Sequence, residues 1–486
     1  MALWRCILAA VFLVGVTTVN SSPTMSSYDT IVVGMGAAGT TAASILAKAG
    51  KRVLGLEAQN RVGGRINTVP FGDGVVELGA EWMHGTKPNT VYDLAVQNNV
   101  TVLPQDISME VYMSDGSLAN KELVNELTEF CLQVVDEPPP TPQPLGQYIT
   151  KRLMDYIKDK HPTLLKDQGF INEFLAFMDL MIDNYEATDT WNDITTESKY
   201  RVLDGHQHMS WNKNGYKTLF EILLNTYKNG PGLPTLTIKL NTEVSQIVWP
   251  QDPSQKVIVK SKDGAEYSAD NVIVTVSVGV LKERHSAIFS PPLPQKKADA
   301  ISHLTMGLLG KIILLFPAQW WPKEKLFYGF MWKPEDRANV TDETWSLRLT
   351  AASNPMGCKH ALTMWTSGEV GRLVETLPDD VVKRKAMELL RRFMGANVTI
   401  PEPISMLRSS WYTNPYTRGS YTYDNLSSPS HPTAREDLAA PLSDSSGRPR
   451  VLFAGEATET NHFSTVHGAV GSGEREAARL LPSSKI

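Results

Sequence analysis

Cysteine is nearly absent from this chain, with three in 486 residues. That is too few for a disulfide scaffold. Beyond the N-terminal stretch only Cys131 and Cys358 remain, and one bridge or two buried thiols are both open readings. Metal-ligand spacing is missing as well. No HExxH, GxSxG or GxxxxGK[ST] pattern occurs, which excludes the commonest zinc, serine-hydrolase and nucleoside-triphosphate sites. The alternate histidines of His206-Gln-His208 lack a third ligand, so no metal is expected. A basic excess is also lacking: the formal net charge is −5, which argues against a nucleic-acid partner. Past the N-terminus no uninterrupted apolar run reaches the roughly 18 residues of a membrane span, so no stable membrane anchor is expected.

The N-terminus itself carries one positive residue (Arg5), an apolar run from Cys6 to about Val16, and small residues through Ser22. This pattern reads as a secretory signal peptide over 1–22. Asn-x-Ser/Thr triplets follow at Asn99, Asn339, Asn397 and Asn425, consistent with a secreted glycoprotein. The remaining composition, 42% hydrophobic and 20% charged, is that of an ordinary globular protein long enough for two domains.

Residues Tyr28 to Glu57 read as one βαβ unit. Asp29-Thr-Ile-Val-Val33 is a β-branched strand, Gly34-Met-Gly36-Ala-Ala38-Gly39 a turn, Thr40 to Ala49 a helix closed by Gly50, and Arg52 to Leu56 a second strand. Residues from about Met109 to Lys213 look mainly helical, broken by an exposed loop, Glu137-Pro-Pro-Pro-Thr-Pro-Gln-Pro144. Strand patterns return between Thr235 and Val280, and Arg450-Val-Leu-Phe453 precedes a helix from about Gly468 to Leu481. The expected fold class is α/β. A discontinuous Rossmann-like nucleotide-binding domain is built from 28–108, 214–295 and 445–482, and a substrate domain of mixed sheet and helices from 109–213 and 296–444.

Each residue of the turn has a physical reason. Gly34 permits the tight bend, Gly36 lets a pyrophosphate approach the backbone beside Ala38, and Gly39 lets helix and strand pack closely. The helix N-terminus offers free N–H groups to phosphate. Glu57, at the end of the second strand, can accept bonds from ribose hydroxyls and repels a 2′-phosphate, which disfavours NADP. Arg61-Val-Gly63-Gly64-Arg65 adds backbone and fixed positive charge for a long dinucleotide, with Arg65 as the phosphate contact. Near the C-terminus Glu456 follows a strand and can bind a further hydroxyl, and Thr465-Val466 opens a helix whose N-terminus can stabilise an anionic reduced flavin.

Together with Glu77-Leu-Gly-Ala-Glu-Trp-Met-His84-Gly85 and Trp411-x-x-Asn414-Pro415-x-x-x-Gly419-Ser-Tyr421, these motifs resemble the flavin amine oxidases. Within them the chain is most similar to animal spermine and N1-acetylpolyamine oxidases, from about Asp29 to Leu481. The resemblance implies non-covalent FAD, because Ser420 stands where the monoamine oxidases attach it through cysteine. It implies that Val244 contacts adenine through its backbone, that Lys311 holds a water against flavin N5, and that Trp411 packs near the ring. His84 would act on the substrate nitrogen, while Tyr421 matches one wall of an aromatic cage whose other wall is replaced by Thr465.

The implied activity is a polyamine oxidase that moves a hydride from the carbon beside a neutral secondary amine to the flavin, giving an amine, an aldehyde and hydrogen peroxide from O2. Distal ammonium groups then need carboxylates, for which Asp193, Glu197 and Asp204 are candidates beside a simpler reading as surface charges. A strand-end Lys311 that snorkels to solvent and a core Trp411 are the plainer alternatives for those residues. A secreted L-amino acid oxidase, which needs an arginine aimed at a carboxylate, and a silent protein that keeps FAD as a prop are the competing functions. The sequence does not decide between monomer and homodimer.

Overall fold

The computed structural model describes residues 27–482. The expected signal peptide over 1–22 lies outside them.

The first strand, Ser27–Val33, is buried on both faces from Thr30 onward and becomes a central strand, as the apolar run over 31–33 leads one to expect in a parallel sheet. It pairs in parallel with Val53–Leu56 on one side and Glu266–Val274 on the other. The helix between the first two strands, Ala37–Lys48, is built almost wholly of Ala, Thr, Ser and Gly, so it lies close on the sheet. It begins earlier than the expected Thr40 because Gly36 already caps it, and Gly50 closes it with φ +84°. The sheet grows to nine strands by adding Leu236–Lys239, a meander from Val244 to Val274, Pro449–Phe453, and the two-residue strands Phe289–Ser290 and Leu442–Ser443. Ile31, Leu54, Val259, Val272 and Phe453 form its core.

A second, six-stranded sheet runs from Ser405–Arg408 through Leu309–Leu315 and Ala361–Ser367 to Met109–Met113. The helix Asp379–Met394 covers it through Ala386, Leu390 and Phe393, while helices Lys121–Val135, Leu145–Lys160 and Gln168–Glu186 make a separate apolar cluster. The architecture is α/β with a mixed-sheet and helical second part, the expected class.

Some local expectations differ. Helices Gln295–His303 and Ala434–Ala439 put Ala300, Ile301 and Leu438 into the core of the nine-stranded sheet, although the sequence reading assigns 296–444 to the substrate part. A short amphipathic helix carries no signal of which sheet it will cover. The helical character expected over 109–213 stops at Glu186, where Ala187 turns left-handed at φ +61°. Beyond it, Thr190 and Trp191 bond to Asp179 and Thr188 to Asp183, side-chain bonds that compete with helix continuation. Cys131 and Cys358 are free and buried in different cores, which settles the thiol question against a bridge.

Candidate functional site

A cavity of about 430 Å³ is lined by residues of both sheets. At one end it meets the glycine turn. Gly34 has φ +93°, and Gly39 is tighter still: a side-chain carbon there would lie 2.0 Å from the Gly34 carbonyl oxygen. Gly36 is different. A Cβ on it would meet Gly63 and Gly64 only at 3.9 Å, an ordinary contact, and the space before it is the cavity. The helix behind has no side-chain cap, so its first N–H groups are left for a ligand. Ala38 lines the cavity; Gly39 lies behind it.

Glu57, 5% exposed, is aimed by two backbone bonds: Met35 N–H donates to Oε2 at 2.8 Å and Gln59 N–H to Oε1 at 2.9 Å. Burial pushes its carboxyl upward against those bonds. Val244, at the head of its strand, lines the same end.

The sequence reading gives Arg65 to a phosphate and Glu456 to a hydroxyl. The structure joins them. Arg65 Nη1 donates to Glu456 Oε1 and to the Ser420 carbonyl, each at 2.8 Å, because either charge alone in this buried place would be costly. Glu456 also accepts from Thr422 Oγ1 at 2.7 Å and Ser464 N–H at 2.9 Å. Against the upward push of burial, Arg65 and its neighbours hold this carboxyl below its ordinary value. Nε and Nη2 of Arg65 bond to nothing among the described residues and remain open to an anion.

Lys311 is the third residue of Leu309–Leu315 and only 4% exposed, so it does not snorkel to solvent. Its Nζ donates to Glu77 O at 2.9 Å, Gly79 O at 3.0 Å and Glu81 Oε2 at 2.6 Å, and stands 4.7 Å from the Trp365 ring centre. Trp411 is both core and lining: its Nε1 donates to Leu78 O at 3.1 Å while its ring faces the cavity. Trp82 stacks on Trp365 at 5.6 Å, making this part apolar.

His84 has Nδ1 2.7 Å from the Gln207 carbonyl. A carbonyl only accepts, so Nδ1 carries the proton. Burial lowers the ring's pKa, which leaves a neutral imidazole with an Nε2 lone pair. Beside it, burial and the neighbouring rings of His84 and His206 bring His208 down to about 4. Among the described residues no cluster of three or more His, Cys, Asp or Glu could hold a metal ion.

The C-terminal helix, Val466–Arg479, starts on the cavity. Thr465 caps it, accepting from Gly468 N–H at 3.0 Å, so its hydroxyl is already engaged. Ser420 Oγ accepts from Leu309 N–H at 2.8 Å, and Tyr421 donates to Tyr185 O at 3.1 Å. Asp193, Glu197 and Asp204 do not line the cavity. Glu186, the last residue of its helix, does line it, as do Glu57, Glu81, Glu243 and Glu456, and burial and Asp424 raise Glu186 to about 7. Tyr200 and Phe463, edge to face at 5.5 Å, stand with it.

The family model for flavin containing amine oxidoreductases matches residues 37–481. The chain belongs to that family. It is 31% identical to the bovine protein named peroxisomal N(1)-acetyl-spermine/spermidine oxidase, over 93% of this chain and 94% of the relative. It is 30% identical to the rice protein named polyamine oxidase 1, over 93% and 96%. In this flavin amine oxidase the structure brings His84, Glu57, Arg65, Lys311, Trp411, Tyr421 and Thr465 to one cavity. Glu81 and Glu186 are not among the site residues expected from the sequence. Glu81 lies in the motif over 77–85, three places before His84, a signal present in the sequence; Glu186 ends a helix and carries none.

Proposed function

We propose that this flavin amine oxidase is a polyamine oxidase that holds FAD non-covalently and oxidises a secondary amine. The observation that carries the proposal is a single cavity joining the glycine turn and Glu57 to Lys311, and Lys311 to the acidic, aromatic region around Glu186.

The residues fit FAD. The cavity falls in the range of small-molecule sites, about 300–1,000 Å³. Gly36 leaves room that protein packing does not use, two helix N-termini open on it, and Glu57 is pre-aimed for a ribose. Ser420 replaces a thiol and its hydroxyl is bonded internally, which supports non-covalent binding. Bound there, the flavin would supply hydride acceptance and electron delivery to O2, yielding hydrogen peroxide. The chain's own residues do the rest. His84 Nε2 can accept the N–H of a neutral amine, Trp82 and Trp365 exclude water, and Glu186 can pair with a distal ammonium. In this reading 28–108, 214–295 and 445–482, with the helices Gln295–His303 and Ala434–Ala439 that pack on the same sheet, carry the flavin, and the rest of 109–213 and 296–444 the substrate.

The L-amino acid oxidase reading is weaker here. Arg65 and Arg284, the arginines on the cavity, are each paired with a glutamate, Glu456 and Glu243, at 2.8 and 2.9 Å. A panel of spermine, spermidine, their N1-acetylated forms and leucine with peroxide readout tests the choice. Peroxide from a polyamine and none from leucine is expected; the reverse would replace this function.

The proposal includes secretion after loss of a leader over 1–22. Asn99, Asn339 and Asn397 are exposed, whereas the Asn425 amide donates to Thr305 Oγ1 at 2.6 Å. Protein recovered from a medium should carry glycan at the first three and none at Asn425; protein retained in the cell and unglycosylated would contradict the secretory part.

A further inference from the structure

An ammonium group has three N–H donors, and those of Lys311 are all committed, to Glu77 O, Gly79 O and Glu81 Oε2. The shortest of these, 2.6 Å, goes to the carboxylate of Glu81. Glu81 stands between two spaces. It lines the large cavity, and it also lines a small pocket of about 10 Å³ shared with Glu77, Ser210 and Trp211. A space of that size fits about one water molecule, given polar partners. Partners are present. Trp211 is 1% exposed, and its Nε1 lies by the Tyr216 hydroxyl without an aligned hydrogen bond to it or to any other described group. A buried indole N–H left this way is costly unless something accepts from it.

We infer that Glu81 is the positioning and proton-exchange partner of Lys311, connected to Glu77 through one water held in the pocket beside Trp211.

In the relay no electrons move. As Nζ gives the proton it directs at Gly79 O, on the cavity wall, to a base in the cavity, protonated Glu77 passes one to the pocket water, the water passes one to the Glu81 carboxylate, and Glu81 passes one to Nζ. One proton leaves the relay and one, from solvent, restores Glu77. Glu77 suits the last position. Burial raises its carboxyl to about 7, with Glu81 adding to the rise, while the Tyr216 N–H, Thr68 hydroxyl and Lys311 work against it. The titratable groups facing this pair are Lys311, Tyr216 and each other.

The inference rests on the proposed function for its kinetic arm only. The first arm needs no turnover: an infrared spectrum of the full protein, with and without FAD, at neutral pH. A protonated-carboxyl band that disappears in Glu77→Gln and shifts when Glu81 is changed to Gln is expected. In the second arm the reduced enzyme reacts with O2 in H2O and in D2O. Glu81→Gln should slow that reaction about tenfold, move its pH profile and enlarge its solvent isotope effect, and Glu81→Asp should restore part of the rate. A missing carboxyl band, or an unchanged rate, profile and isotope effect in a folded, FAD-containing Glu81→Gln protein, would overturn the inference. If Glu81→Gln does not fold, the Glu77→Gln infrared comparison decides alone. Failure of the polyamine panel with the carboxyl band present would remove the function and leave the relay.

Discussion

Lys311 shows how burial turns one residue into a constraint on its neighbours. Its ammonium and the Glu81 carboxylate are both under a tenth exposed, so each is costly without the other. Lys311→Met should retain FAD but lose roughly 10²-fold in turnover. It should also lose on the order of 3–5 kcal/mol of stability, part of which returns in the double variant with Glu81→Gln. Stopped-flow rates and thermal melts check both; an unchanged rate would remove Lys311 from the reaction. For Glu186, raised to about 7, the ionised form exists above that pH and is lost as pH falls through it. kcat/KM for a polyamine should therefore rise across pH 7, and Glu186→Gln should flatten that limb and raise KM more than it lowers kcat. His208 gives a stability test. Unfolded, its ring takes a proton below about 6.5; folded, only below about 4, so the unfolded state binds more protons in that window and stability falls as pH drops through it. That loss is on the order of 2–3 kcal/mol, and His208→Gln should lessen the fall in melting temperature between pH 7 and 4. That Glu57, Lys311 and His84 line one cavity is legible in the sequence, because motif and chemistry agree at each. The pairing of Arg65 with Glu456, and the partner of Lys311, are not, because they depend on which distant chain segments meet.

At the scale of elements, the first of the two helices that open on the cavity, Ala37–Lys48, makes different demands on two glycines at its start. Gly39 is required by packing and Gly36 is not. Gly39→Ala should destabilise the protein itself, by roughly 1–3 kcal/mol. Gly36→Ala should leave the melting temperature of the FAD-free protein unchanged while FAD affinity falls, measured by flavin fluorescence. Wild-type affinity in Gly36→Ala would mean the turn does not face a phosphate. The β-branched strand Ser27–Val33 and the apolar end of Pro449–Phe453 are readable, as is the small-residue helix between the first two strands, since composition and period point the same way. The stretch after Glu186 is not, because side-chain bonds of Asp179 and Asp183 replace the backbone ladder there.

For the whole molecule, the chain enters the nine-stranded sheet in separated pieces, between which lie the strands of the six-stranded sheet. The interleaving was foreseeable from nucleotide motifs at both ends of the chain; the attachment of Gln295–His303 and Ala434–Ala439 to the first sheet was not. Residues drawn from both sheets line the cavity, so under the proposed function cofactor and substrate would share one space. The most direct measurement of that arrangement is an anaerobic titration of the purified protein with a polyamine while its visible spectrum is recorded. A yellow protein is expected, whose flavin bands bleach on addition of the amine and whose FAD is released by denaturation. A colourless protein that takes up no FAD, or a yellow one whose spectrum does not change, would contradict that arrangement.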